Sequence, residues 1–164
     1  MSAPDHSRPL RLRRLTSGEQ ALAARVFGPG LRVDRVALLT IPVWNRPFAA
    51  GSRLLVWPAK AALPDFSKAP LFLQSVFVHE MTHVWQAQNG VNLILGKLRA
   101  GDSRASYAYD LSDGRPFEAL NIEQQAMVIQ HAFLADRGGA SPHPRAAYDR
   151  ILVAWKGDLS PSRG

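Results

Sequence analysis

The sequence predicts a single compact α+β domain, with a small sheet packed on a central helix and a second long helix beside it. Three observations predict this. The chain has 164 residues, enough for one core of ordinary size and not for two. Residues 31–41 (LRVDRVALLTI) and 53–57 (RLLVW) are short runs of apolar and β-branched side chains, as strands are. Three later stretches have helix-length apolar patterns with recognisable starts and stops.

Residues 1–14 read as a flexible basic arm, 15–157 as the domain, and 158–164 as a flexible polar tail. Thr16, followed three residues later by Glu19, has capping-box spacing, so a helix is expected from about 17 to Phe27. Gly28-Pro29-Gly30 ends it. The strand 31–41 follows. Pro42 and Pro47 then leave only an edge or a loop before the strand 53–57. Asp65 and Ser67 are candidate caps ahead of the strongest helix, 70–88 (PLFLQSVFVHEMTHVWQAQ), which Asn89-Gly90 closes. That helix is apolar nearly all round, so it belongs inside the protein. A short helix is read into 91–99, and 100–115 reads as loop. Pro116 is expected to open the second long helix, 116–136, closed by Gly138-Gly139, and a third covers 145–156. Trp44, Trp57, Trp85 and Trp155 are expected in the core.

Composition excludes several classes of function. Cysteine is absent, so there are no disulfides, thiolate metal sites or cysteine nucleophiles. Any metal must be held by His, Asp or Glu. No apolar run is long enough to span a membrane, and the basic N-terminus lacks the apolar core of a secretory signal. The expectation is a protein that is cytoplasmic as synthesised, with any export left to a specialised secretion machine. The net charge is +7, and residues 1–35 carry seven arginines against three acids. No aromatic residue is interleaved with those arginines, which argues against nucleic acid as a partner.

The central helix contains His79-Glu80-Met81-Thr82-His83. A helix turns about 100° per residue, so positions i and i+4 share a face and both imidazoles can reach one ion. Glu80 points aside, where it can take a proton from a water activated by zinc. Two histidines and a glutamate among Phe72, Val76, Phe77, Val78 and Val84 would be costly without a use.

Zinc needs a third protein ligand. Gln86 and Asn89 stand where a metzincin would place Gly and His, which excludes that class. The remaining glutamates downstream are Glu118 and Glu123. Glu118 falls in the first turn of the expected helix, where the helix dipole already accounts for a carboxylate. Glu123 is placed mid-helix, with Ala119, Ala126, Met127 and Gln130 on its side. Glu123 is therefore preferred, with Glu118 and His131 as alternatives. Tyr107 or Tyr109, in the loop, is a candidate for supporting an oxyanion, and His131 for orienting a ligand.

With these residues in hand, the sequence resembles zincin-fold metallopeptidases of the gluzincin type. More narrowly, FVHEMTHVWQ, YAYDL and PFEALNIEQQAMVIQHAF resemble short bacterial Vgr-related proteins associated with type VI secretion. The resemblance runs from LTSGEQALAARVFG to about Phe133, and HEMTHVWQ and IEQQA are its most specific parts. It implies that His79 and His83 are zinc ligands, Glu80 the general base, and Glu123 the carboxylate ligand. The expected function is therefore zinc-dependent hydrolysis of peptide bonds in a peptide or protein substrate. The rival is a non-catalytic module that keeps zinc as a staple and binds a secretion-system partner. A structural site needs no general base, so Glu80 favours the enzyme.

Overall fold

The computed structural model describes residues 10–158, so the remainder of the basic arm and of the tail lies outside the described residues. Capping decides where the first helix starts. The Thr16 hydroxyl accepts from the Glu19 amide at 3.1 Å, and the Glu19 carboxylate accepts from the Thr16 amide at 2.9 Å. This closes the expected capping box at the head of α1, Ser17–Phe27.

The same glutamate corrects the reading of the arm. Arg11–Arg14 is a strand, β1, and not part of a flexible segment. Its Arg13 reaches Glu19 with two guanidinium bonds of 2.7 and 2.8 Å, and the Leu63 carbonyl with a third of 3.2 Å. β1 pairs antiparallel with β2, Ala37–Ile41, in a register from Arg11 opposite Thr40 to Arg14 opposite Ala37. β2 is shorter than the apolar stretch that announces it, because Val33–Arg35 is wound into a 3-10 turn. β3, Phe48–Ala49, and β4, Leu54–Pro58, complete a sheet of order β1-β2-β4-β3. β2 and β4 are parallel, and β3 is antiparallel to β4 at the far edge.

Asp65 caps a 3-10 turn at Phe66–Lys68, and Pro70 then leads into α2, Leu71–Gln88. α3, Leu93–Ala100, is capped by Asn92, and a one-turn helix, α4 (Arg104–Tyr107), interrupts the expected loop. The second long helix, α5, begins later than Pro116 suggests, at Ile122, and runs to Asp136. Pro116 is extended (φ −70°, ψ 157°) and precedes a 3-10 turn, Phe117–Ala119. The real start is set by Asn121, whose side chain accepts from the Gln124 amide while Gln124 accepts from the Asn121 amide. α6, Arg145–Asp158, closes the described chain and takes in the first residue assigned to the tail.

α2 lies along α5, and β3, β4 and α1 pack on α2 from other sides. Phe27, Leu38, Leu55, Phe66, Phe77 and Met81 are fully buried between them. Trp57 and Trp155 join this core and Trp85 is half-buried, but Trp44 is exposed, against expectation. It sits between the two prolines in the turn before β3, where its ring makes a T-shaped contact with Phe48 at 5.8 Å between centroids. Gly96 lets α3 approach α5 closely, since a Cβ there would lie 2.8 Å from Ile122 Cδ1. That approach brings the next residue, Lys97, beside the first turn of α5. Among the described residues no helix is long and apolar enough to cross a membrane.

Candidate metal centre

α2 and α5 bring three of the candidate residues together. His79, His83 and Glu123 each offer a ligand atom, and these atoms lie within 4.8 Å of one another. His83 Nε2 is 3.2 Å and His79 Nε2 3.5 Å from the same oxygen, Glu123 Oε2. All three residues are buried. Glu123 is not mid-helix, as its distance from Pro116 implies, but in the first turn of α5. There the partial positive charge of the helix N-terminus favours a carboxylate. Burial works against that charge. Hydrogen bonding and positive charge from His79 and His83 outweigh burial and hold the carboxyl well below the usual range. Lys97 Nζ, 4.0 Å from Glu123 Oε1, adds a cation on the other side.

The histidine rings are oriented by two glutamines. His79 Nδ1 meets Gln130 Oε1 at 3.0 Å, and His83 Nδ1 meets Gln86 Oε1 at 2.8 Å. The amide orientations follow from their other bonds. Gln86 Nε2 donates to the Ile122 carbonyl at 3.0 Å and to Gln125 Oε1 at 2.9 Å. Gln130 Nε2 donates to Ser75 Oγ at 3.2 Å, whose own proton goes to the Phe72 carbonyl. Each glutamine therefore presents an oxygen to its histidine, and an amide oxygen only accepts. When a ring is neutral its one proton therefore sits on Nδ1, which leaves the Nε2 lone pair free toward the centre of the cluster; a protonated ring instead donates from Nε2 to Glu123. Two imidazole nitrogens and one carboxylate oxygen so arranged are a donor set suited to a divalent metal ion.

Glu80 stands beside the cluster and outside it. It is buried, and its Oε2 has no hydrogen-bond partner. Burial pushes its carboxyl up to about 7, against the pull of His79, Lys97 and the Ala49 amide. The Ala49 contact has a simple origin in the sheet. The Ala50 amide donates across to the Leu54 carbonyl at 2.8 Å, so by the alternation of an antiparallel ladder the Ala49 amide points off the edge of β3. That edge therefore faces Glu80.

The other candidates lie elsewhere. Glu118 is exposed in the 3-10 turn, apart from the cluster. Tyr109 and His131 do not support the cluster as expected. The Tyr109 hydroxyl is 2.6 Å from His131 Nδ1 and 2.8 Å from the Tyr148 hydroxyl. Together they tie the 108–116 loop to α5 and α6, with the His143 ring 5.7 Å from Tyr109. Holding His79 falls instead to Gln130, one residue earlier. Sequence reading missed this role for Gln130 and for Gln86. Both carried a helical signal, since Gln86 is three residues after His83 and Gln130 seven after Glu123.

No family model matches the chain. The effector domain of Pseudomonas aeruginosa VgrG2b superimposes with a TM-score of 0.67 at 29% identity, covering 93% of this chain and 87% of that one. The two are homologous. The type VI secretion system spike protein VgrG2b of P. aeruginosa is 34% identical over 149 residues, covering 82% of this chain. The chain spans only 14% of that protein's length. The likeness is thus to its effector portion.

Proposed function

We propose that the chain is a zinc-dependent metallopeptidase of gluzincin type, which hydrolyses peptide bonds in a protein substrate and is exported in association with a type VI secretion apparatus. The observation that carries the catalytic part is the pairing of a preoriented two-histidine, one-glutamate cluster with a buried glutamate that has one unpartnered oxygen. His79, His83 and Glu123 would hold the ion. Zinc, when bound, supplies a Lewis acid that polarises the scissile carbonyl and makes water acidic enough to deprotonate near neutral pH. Gln130 and Gln86 keep both imidazoles in the tautomer that leaves Nε2 unprotonated. Glu80 takes the proton of the attacking water at Oε2 and hands it to the leaving amine nitrogen. The edge of β3 gives an extended substrate backbone a place to lie beside Glu80. Homology to the effector domain of a secretion-system spike protein supports the association with secretion.

A zinc staple without catalysis accounts for the cluster but not for Glu80, since burying a carboxylate oxygen with no partner weakens a fold. The deciding experiment is the metal content of purified protein, with and without His79→Ala. One zinc per chain is expected in the first and little in the second. If wild type holds no transition metal when purified without chelator, and takes up none on titration, the proposal fails.

A further inference from the structure

The candidate centre is bordered by apolar side chains that the fold leaves uncovered. On one side, α3 buries only Leu93 and exposes Ile94, Leu95 and Leu98, with Ile94 and Leu98 each 74% exposed. Ile94 stands beside both Lys97 and Leu98 on the helix surface, three and four residues on, and Lys97 reaches Glu123. On the other side, the turn before β3 exposes Val43 at 84% and Trp44 at 53%. Trp44 rests on Phe48, the neighbour of the Ala49 whose amide faces Glu80. The two sides approach each other, since Arg46 of the turn lies 3.9 Å from Asp102, just beyond α3. Apolar side chains left to water on two flanks of a buried polar cluster mark a binding surface.

We propose that these two rims select the substrate: an extended polypeptide segment with bulky apolar side chains on both sides of the scissile bond, seated on Ile94 and Leu98 at one rim and on Val43 and Trp44 at the other. Such segments are buried in folded proteins, so the substrates would be unfolded chains or exposed apolar strands. This inference rests on the peptidase reading for the identity of the ligand, and a binding measurement separates the two.

The test uses the whole chain carrying Glu80→Gln, loaded with zinc, and two peptides of equal length and charge. One has Leu and Phe around its central bond, and the other Ser and Asn. Calorimetry should show the apolar peptide binding about tenfold or more tightly than the polar one, the scale that apolar pocket contacts deliver. The preference should be lost in Ile94→Ser/Leu98→Ser and reduced in Trp44→Ser. It should persist in Val153→Ser, an exposed valine on α6. Equal binding of the two peptides, or a preference indifferent to the rim changes, overturns the inference. So does a dimer in sedimentation that Ile94→Ser/Leu98→Ser converts to monomer, which would make the α3 face a contact between copies. If the preference holds while the unmutated chain cleaves neither peptide, the rims stand and the peptidase reading fails.

Discussion

Glu19 and Glu80 are both buried glutamates on helices, and the protein treats them in opposite ways. Glu19 accepts four hydrogen bonds, two from Arg13 and one each from the Thr16 and Phe66 amides. Both oxygens are satisfied, and the carboxylate joins β1, α1 and the turn before α2. Glu80 has an oxygen with no partner at all. A buried carboxylate that is fully paired specifies the fold. One that is left short is held ready for something the fold itself does not supply.

The sharpest way to break this comparison is to neutralise each glutamate in turn. Glu80→Gln should leave the fold and the bound metal intact and lower peptide hydrolysis by about 10²–10⁴, the usual contribution of a general base. Steady-state cleavage and zinc content would be measured on the same preparation. Loss of zinc in this variant would make Glu80 a ligand and reverse its role. Next in size, Glu123→Ala should weaken zinc by more than the 10–100-fold typical of outer partners, while exposed Glu118→Ala leaves affinity unchanged. Competition with a chromophoric chelator would read both. Equal losses would remove Glu123 from its place in the cluster.

At the other pole, Glu19→Ala should cost stability and not chemistry. Removing one partner of a buried ion pair costs about 3–5 kcal/mol, and here Arg13 would lose its counter-ion and two amides their acceptor. Denaturant unfolding should show this loss, while kcat/KM per folded molecule stays at the wild-type value. An activity loss larger than the unfolded fraction would show that the Glu19 hub reaches the site. A smaller change is expected in the shell around the ligands. Gln130→Leu should weaken zinc about 10–100-fold by freeing the His79 ring. An unchanged affinity would mean that packing alone orients that ring.

The two regions were unequally visible in the sequence. The two histidines and Glu80 could be read because helical geometry ties them to a short spacing, His83 four positions after His79, whereas Gln86, three positions after His83, was not read as the partner of its ring. The capping box of Thr16 and Glu19 could be read for the same reason. What bonds Glu19 from a distance could not. Arg13 looks like one more charge in a basic arm until β2 provides a strand to pair with, and Phe66 is 47 residues away. The start of α5 was misjudged because Pro116 suits a first helical turn as well as the extended residue it is. Asn121 and Gln124 carried the better signal, a cap and its reciprocal partner three residues apart. β3 has two residues and no pattern of its own, so only its partner β4 reveals it.

The smallest expected effect comes from a third polar cluster, which resembles the Glu19 hub more than the site. His131 is partly buried against Tyr109, whose hydroxyl also meets Tyr148, and the His143 ring stands beside Tyr109. Burial, with the charges of His79 and His143, lowers the His131 pKa from its ordinary 6.5. The unfolded chain then binds a proton at this position that the folded chain refuses. Stability from this residue is complete above about 6.5 and is lost as pH falls from there toward the lowered folded value. Other groups in the protein respond to pH as well, so the absolute pH profile does not isolate His131. The difference between wild type and His131→Asn does, because the other groups are common to both. The stability advantage of wild type over the variant should shrink between pH 7.5 and pH 5.5 in paired thermal unfolding. If the advantage is constant, His131 takes up its proton alike in both states, and the cluster of Tyr109, Tyr148 and His143 holds the loop without regard to its charge.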